Sequence, residues 1–126
     1  TGVTKVEAKQ AGDGIGPINT PHVVYFDYDS FVVRAEARPV IEAHARFLQA
    51  NKQRKAMLEG HTDERGGREY NLALGQKRAE AVQRALVLMG VPESQVEAVS
   101  YGKEKPAAQG NDEASFAKNR RVEFKY

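Results

Sequence analysis

The stretch from about Arg68 to Gly90 limits what this chain can fold into more than any other. Leu72, Ala79, Val82, Leu86 and Met89 follow one another at intervals of seven, three, four and three, on one face of a helix, and Gly90 with Pro92 ends it. A helix that is apolar along one stripe needs a second layer to cover that stripe. Short runs on either side supply it. His22-Val23-Val24-Tyr25-Phe26, β-branched and aromatic, reads as a buried first strand, closed by the turn-forming Asp27-Tyr28-Asp29-Ser30. Residues 55–60 read as a second strand and 96–101 as a third. Residues 121–126 alternate charged with apolar side chains, the mark of a half-exposed last strand.

Between the first two strands, Ala37, Ile41, Ala45 and Leu48, flanked by Val40 and Phe47, give residues 34–51 a helical face, with Pro39 in its first turn. Residues 61–67 and 102–110 are polar loops, and Asp112 can cap a short helix carrying Ala114 and Phe116. The order is βαβαβ(α)β. Strands separated by helices make a sheet with helices packed on it, joined by right-handed crossovers. Residues 1–21, with several Gly and Pro and little apolar periodicity, read as a flexible N-terminal tether, and 22–126 as the folded domain. Gly12-Asp13-Gly14-Ile15-Gly16 has the glycines of a phosphate loop, but no strand precedes them and Pro17 cuts off the helix that should follow.

Composition narrows the classes. At 126 residues the chain holds one core of ordinary size, and its 40% hydrophobic and 29% charged residues are the balance of a globular protein. A net charge of only +2 argues against non-specific nucleic-acid binding. With no cysteine there is no disulfide, thiolate metal site or cysteine nucleophile. No stretch approaches the length of a membrane span, and no charged start followed by an apolar run marks a signal peptide. Any signal or lipid-attachment cysteine is therefore expected upstream of Thr1.

The chemistry concentrates in residues 60–71, where a strand, a Gly-rich polar loop and a helix start follow in that order. Helix N-termini offer unpaired N–H groups and a positive dipole end, and glycines let a ligand come close. Asp63 stands in the loop and Arg78 on the following helix, so a carboxylate and a guanidinium could face each other across a pocket. Together they could hold a zwitterionic amino-acid head, the ammonium on Asp63 and the carboxylate gripped by Arg78 through two parallel hydrogen bonds. On spacing alone, a plain salt bridge is the simpler reading.

Thr62-Asp63, Gly66, Tyr70-Asn71, Leu74 and Arg78-Ala79 match the pattern T-D-x-x-G-x-x-x-Y-N-x-x-L-x-x-x-R-A. In this the chain resembles the OmpA-like peptidoglycan-binding domain family. Val24-Tyr25-Phe26-Asp27-Tyr28-Asp29, Tyr101-Gly102-Lys103-Glu104-Lys105-Pro106 and Lys118-Asn119-Arg120-Arg121-Val122 extend the resemblance to a lipoprotein branch of that family, over about residues 23–126. The resemblance implies an α/β two-layer sandwich, a mixed sheet with helices packed on one face, and non-covalent binding of the peptidoglycan stem peptide. Asp63 and Arg78 would then meet the amino and carboxylate groups of its meso-diaminopimelate side chain. Asn71 and Leu74 carry over as pocket residues. Phe26 and Asp27 correspond to the other pocket wall, where backbone N–H groups meet ligand carboxylate and the aromatic ring lines the cleft. It further implies an outer-membrane lipid anchor, a periplasmic location and a second partner, TolB of the Tol system; no residue identifies TolB independently. The competing expectation is a protein-docking domain acting mainly through TolB.

Other readings are weaker. His61 and Asp63 are spaced like metal ligands, with His22 and His44 elsewhere, but no third ligand has convincing spacing, and neither metal nor cofactor is expected. Asp27 and Asp29 could be paired carboxylates of a glycosidase, yet after a strand they suit a turn better. Ser30, Ser94, Ser100 and Ser115 lack a nucleophile-elbow context, so no enzyme is expected. Lys52, Arg54 and Lys55, like Arg120 and Arg121, read as a solvated face, although the resemblance leaves Arg120 and Arg121 a role at the pocket rim.

Overall fold

The computed structural model describes residues 16–126. The first fifteen residues of the expected tether lie outside that range. Strand β1 spans Val23–Tyr25, helix α1 Arg38–Ala50, β2 Ala56–His61, α2 Arg68–Leu88, β3 Val96–Gly102, α3 Glu113–Asn119 and β4 Arg121–Lys125, with 3-10 turns at Ala35–Ala37 and Glu93–Gln95. The four strands form one mixed sheet in the order β1-β4-β2-β3. β4 runs antiparallel to both β1 and β2, while β2 and β3 are parallel.

Strand periodicity sorts the side chains. Leu58 on β2 and Val122 and Phe124 on β4 face one way, into a core shared with Ile41, Ala45 and Leu48 of α1 and Ala79, Val82 and Leu86 of α2. Glu59, Glu123 and Lys125 face the other way, beside Met57 and His61, on a face that is open among the described residues. This is the expected two-layer sandwich. The helix expected over 34–51 begins later, at Arg38. Pro39 has no N–H to donate to Ala35, so the ladder cannot start there, and Arg38 N–H closes a tighter turn on Ala35 O instead. Asp112 caps α3 as expected, its side chain accepting from Ser115 N–H at 3.2 Å.

Gly16 is buried flat against the ring of Tyr126, where a Cβ would lie 2.5 Å from ring carbon. Buried His44 donates from Nε2 to Pro21 O at 2.8 Å and accepts at Nδ1 from the Tyr126 hydroxyl at 2.6 Å. Its ring stacks on Phe124 at 3.8 Å. Burial, opposed by the Pro21 hydrogen bond, lowers its pKa to about 4, so it is neutral at pH 7.

One close approach positions the site. Where α2 crosses β2, a Cβ on Gly60 would lie 1.8 Å from Gly75 O, and one on Gly75 would lie 2.3 Å from Ser100 Oγ. Only glycine at both positions lets helix and strand backbones touch. The N-terminal half of α2 is thereby drawn down onto the ends of β2 and β3.

Candidate functional site

At those strand ends opens a cleft of about 200 Å³. Thr62, Asp63, Arg65 and Gly66 of the β2–α2 loop form its floor and one rim. Tyr70, Asn71, Leu74 and Arg78 of α2 form one wall, and Tyr28 and Asp29 of the β1–α1 connection the other. Asp63, Asn71, Leu74 and Arg78 thus come together as the sequence pattern anticipated. Asn71, Leu74, Gly75 and Arg78 are one helical stripe, each buried.

The loop is shaped by its backbone. Gly66 adopts φ +94°, a left-handed conformation that favours glycine, and Asn71 Nδ2 donates to Arg65 O at 2.9 Å, bracing the turn from the helix. Thr62 N–H donates to Gly102 O at 2.9 Å and ties the loop to β3. Tyr70 hydroxyl donates to Asp29, clamping the two walls together at the rim.

Arg78 is 1% exposed, and its guanidinium is held by main-chain carbonyls. Nε donates to Ser30 O at 2.7 Å, Nη1 to His61 O at 2.9 Å and Nη2 to Asp27 O at 3.1 Å, over the ring of Phe26 at 5.4 Å. Three of five N–H groups are so engaged. Burial lowers its pKa to about 10, against the opposing charge of Asp63, and it stays cationic at pH 7.

Asp63 does not pair directly with Arg78 among the described ion pairs, so the simple salt bridge is not what forms. Its carboxylate accepts from Arg65 Nη2 at 2.7 Å, Arg65 Nε at 3.2 Å and Arg65 N–H at 3.0 Å, with Arg120 Nη1 at 3.6 Å. Burial acts to raise the Asp63 pKa, but these hydrogen bonds and the charges of Arg65 and Arg120 outweigh it, and the group lies below the usual carboxylate range.

Phe26 and Asp27 do not line the cleft. By strand alternation Phe26 follows Val24 into the core, and its N–H donates to Arg120 O at 2.8 Å, so neither ring nor amide faces the opening. The Asp27 side chain points outward, 3.7 Å from Arg34, and its carbonyl accepts from Arg78 Nη2 and from Ser30 N–H at 3.2 Å. Tyr28 and Asp29, next in sequence, make that wall.

His61 and Asp63 part company. Asp63 faces the cleft, whereas the His61 ring lies on the open sheet face, stacked on Tyr101 at 5.7 Å and 3.7 Å from Glu59. Burial, aided by the Arg121 charge, lowers its pKa to about 4. Glu59, His61 and Glu123 lie close enough there to hold a cation, but Arg121 and Lys125 already pair with Glu123 at 2.5 and 3.0 Å. Sequence reasoning passed over Arg65, which the matched pattern treats as a free position, and left Arg120 open. Arg120 Nε donates to Phe26 O at 2.9 Å and Nη2 to Glu113 at 2.9 Å, aiming the guanidinium toward Asp63.

A two-layer sandwich with a polar cleft at its strand ends defines a small α/β binding domain. The sequence matches the OmpA family over residues 25–120, and the chain belongs to that family. It is 59% identical over 101 residues to the peptidoglycan-associated lipoprotein of Pseudomonas aeruginosa, covering 80% of this chain and 60% of that protein. It is 50% identical over 105 residues to that of Pasteurella multocida, covering 83% and 70%. The chain thus spans about three fifths of the length of the first of these relatives. The crystal structure of the peptidoglycan-associated lipoprotein from Burkholderia pseudomallei superimposes with a TM-score of 0.82 at 56% identity, covering 83% of this chain and 89% of that one. The cell wall anchor of the type VI secretion system from Pseudomonas aeruginosa does so at 0.68 and 27% identity, covering 82% and 77%.

Proposed function

We propose that the cleft binds the peptidoglycan stem peptide non-covalently at the zwitterionic end of its meso-diaminopimelate side chain, and that the protein thereby holds the outer membrane to the cell wall. One observation carries this. A buried arginine, fixed by carbonyls and still cationic, shares a small polar cleft with an ionised aspartate, and opposite charges so fixed complement an ammonium and a carboxylate on one carbon. Arg78 has two N–H groups beyond its carbonyl contacts to offer a carboxylate, and Asp63 accepts the ammonium. Leu74 supplies apolar contact for the methylene chain, and Asn71 keeps the loop in place. The names of the relatives support wall association and a lipid anchor, and with them a periplasmic location at the outer membrane.

TolB fits as a second partner at the same end of the domain, where Tyr28 and Tyr70 are 60% and 57% exposed and offer an aromatic rim for protein docking. Calorimetric titration of a meso-diaminopimelate muropeptide, with a lysine-containing muropeptide as control, tests the wall reading. Saturable binding of the first alone is expected; no binding of either moves the function to protein docking.

A further inference from the structure

If Asp63 receives the ligand's ammonium, a cation of the chain already holds that place. The Arg65 fork meets both carboxylate oxygens, from Nε at 3.2 Å and Nη2 at 2.7 Å, while its own backbone N–H adds a third bond at 3.0 Å. A carboxylate offers about four lone-pair sites, so Arg65 takes most of what Asp63 has. The guanidinium carbon also lies 4.2 Å from the centroid of the Tyr28 ring and 4.3 Å from that of Phe116. The other two arginines around Asp63 cannot give way so readily, since Arg78 is tied to three carbonyls and Arg120 to Phe26 O and Glu113.

Arg65 differs from them. Its side chain is 38% exposed against 6% for Asp63, and Gly66 and Gly67 follow it, the second with nothing within 4 Å of a Cβ position. It can turn into solvent and recover hydration there, which neither buried arginine can do.

We propose that Arg65 is a resident competitor for the ammonium subsite: a zwitterionic ligand head binds by exchanging with Arg65 on Asp63, so Arg65 sets the affinity of the cleft and its selectivity for an ammonium-bearing ligand. This rests on the zwitterion reading above. A ligand with an ammonium restores the charge balance of Asp63 as Arg65 leaves. A ligand with a carboxylate alone has nothing to put in Arg65's place, and binds with the ion pair intact.

The test is calorimetry on the wild type, Arg65→Ala and Arg65→Lys, each checked for folding by circular dichroism. Two muropeptides serve as probes, one bearing meso-diaminopimelate and one bearing 2-aminopimelate, which lacks the distal ammonium. Arg65→Ala is expected to bind the diaminopimelate probe about tenfold more tightly, with Arg65→Lys between, and to show no gain for the aminopimelate probe. Unchanged or weaker diaminopimelate binding by a folded Arg65→Ala, or an equal gain for both probes, overturns the exchange and leaves the zwitterion reading standing. Failure of every protein to bind either probe defeats that reading and the exchange with it.

Discussion

The two halves of α2 share one buried stripe and use it differently. From Ala79 through Val82 to Leu86 the stripe is apolar and fully buried, and it covers the sheet as the repeat in the sequence requires. From Asn71 through Leu74 and Gly75 to Arg78 the same stripe sets one leucine among an amide, a glycine and a guanidinium, and it is still buried. The change falls where the helix passes from the middle of the sheet to the strand ends, and there carbonyls of Asp27, Ser30 and His61 replace apolar neighbours. A buried polar stripe is sustained only where partners are fixed to meet it. One end of the helix holds the fold together; the other turns burial into a charged, pre-set cleft.

Substitutions along the stripe should separate these roles, the largest effect first. Leu86→Ala should cost about 3 to 4 kcal/mol in urea unfolding, because the site is fully enclosed, while the folded fraction keeps ligand affinity. Loss of affinity at full folding would break the division between the halves. Acid should act at both ends of the sheet through His44 and His61. Each has a folded pKa of about 4 against the ordinary 6.5 of a histidine, so the unfolded state takes up the proton first and stability falls as pH drops from about 6.5 toward 4. The loss by pH 4.5 should be about 2 to 3 kcal/mol per histidine. His61→Phe, which keeps the stack on Tyr101, should remove roughly half of that slope, read from urea midpoints at pH 7 and 4.5.

Gly75→Ala should cost about 2 kcal/mol and weaken ligand binding as well, since the added methyl meets Ser100 Oγ and Gly60 O and lifts the cleft end of α2 off the strands. Asn71→Ala should cost only about 1 kcal/mol of stability, for the hydrogen bond to Arg65 O, but lower affinity by loosening the loop. A stability loss without an affinity loss in either variant would mean that the polar half is structural and nothing more.

The difference between the halves also explains what could be read from the sequence. The apolar half announces itself through the spacing of Ala79, Val82 and Leu86, and with the alternation in β4 it yields the layers and the element order. The polar half has no such signal. Leu72, counted from the repeat as a core position, is only half-buried, because the buried stripe runs through Asn71 and Leu74 instead. The motif brought Asp63, Asn71, Leu74 and Arg78 to one cleft, but not their partners. That Arg78 is held by carbonyls of residues 27, 30 and 61, and that Arg65 reaches Asp63 two positions back, depend on where backbones cross and on the left-handed turn at Gly66, which pattern and propensity do not encode. That the side chains of Phe26 and Asp27 lie outside the cleft lining has a related reason. The strand's hydrogen bonding continues through Phe26, which fixes its ring inward and hands the cleft wall to Tyr28 and Asp29.

The binding proposed for the cleft depends on Asp63 meeting an ammonium. Its most direct test is a cycle between the Asp63→Asn substitution and removal of the distal ammonium from the ligand, with affinities measured by calorimetry for the diaminopimelate and 2-aminopimelate muropeptides. If Asp63 and the ammonium meet, Asp63→Asn lowers affinity for the first ligand at least about tenfold and leaves the second nearly unchanged. Equal losses for both ligands would rule out that contact and reduce Asp63 to a structural charge that keeps Arg65 and Arg120 in place.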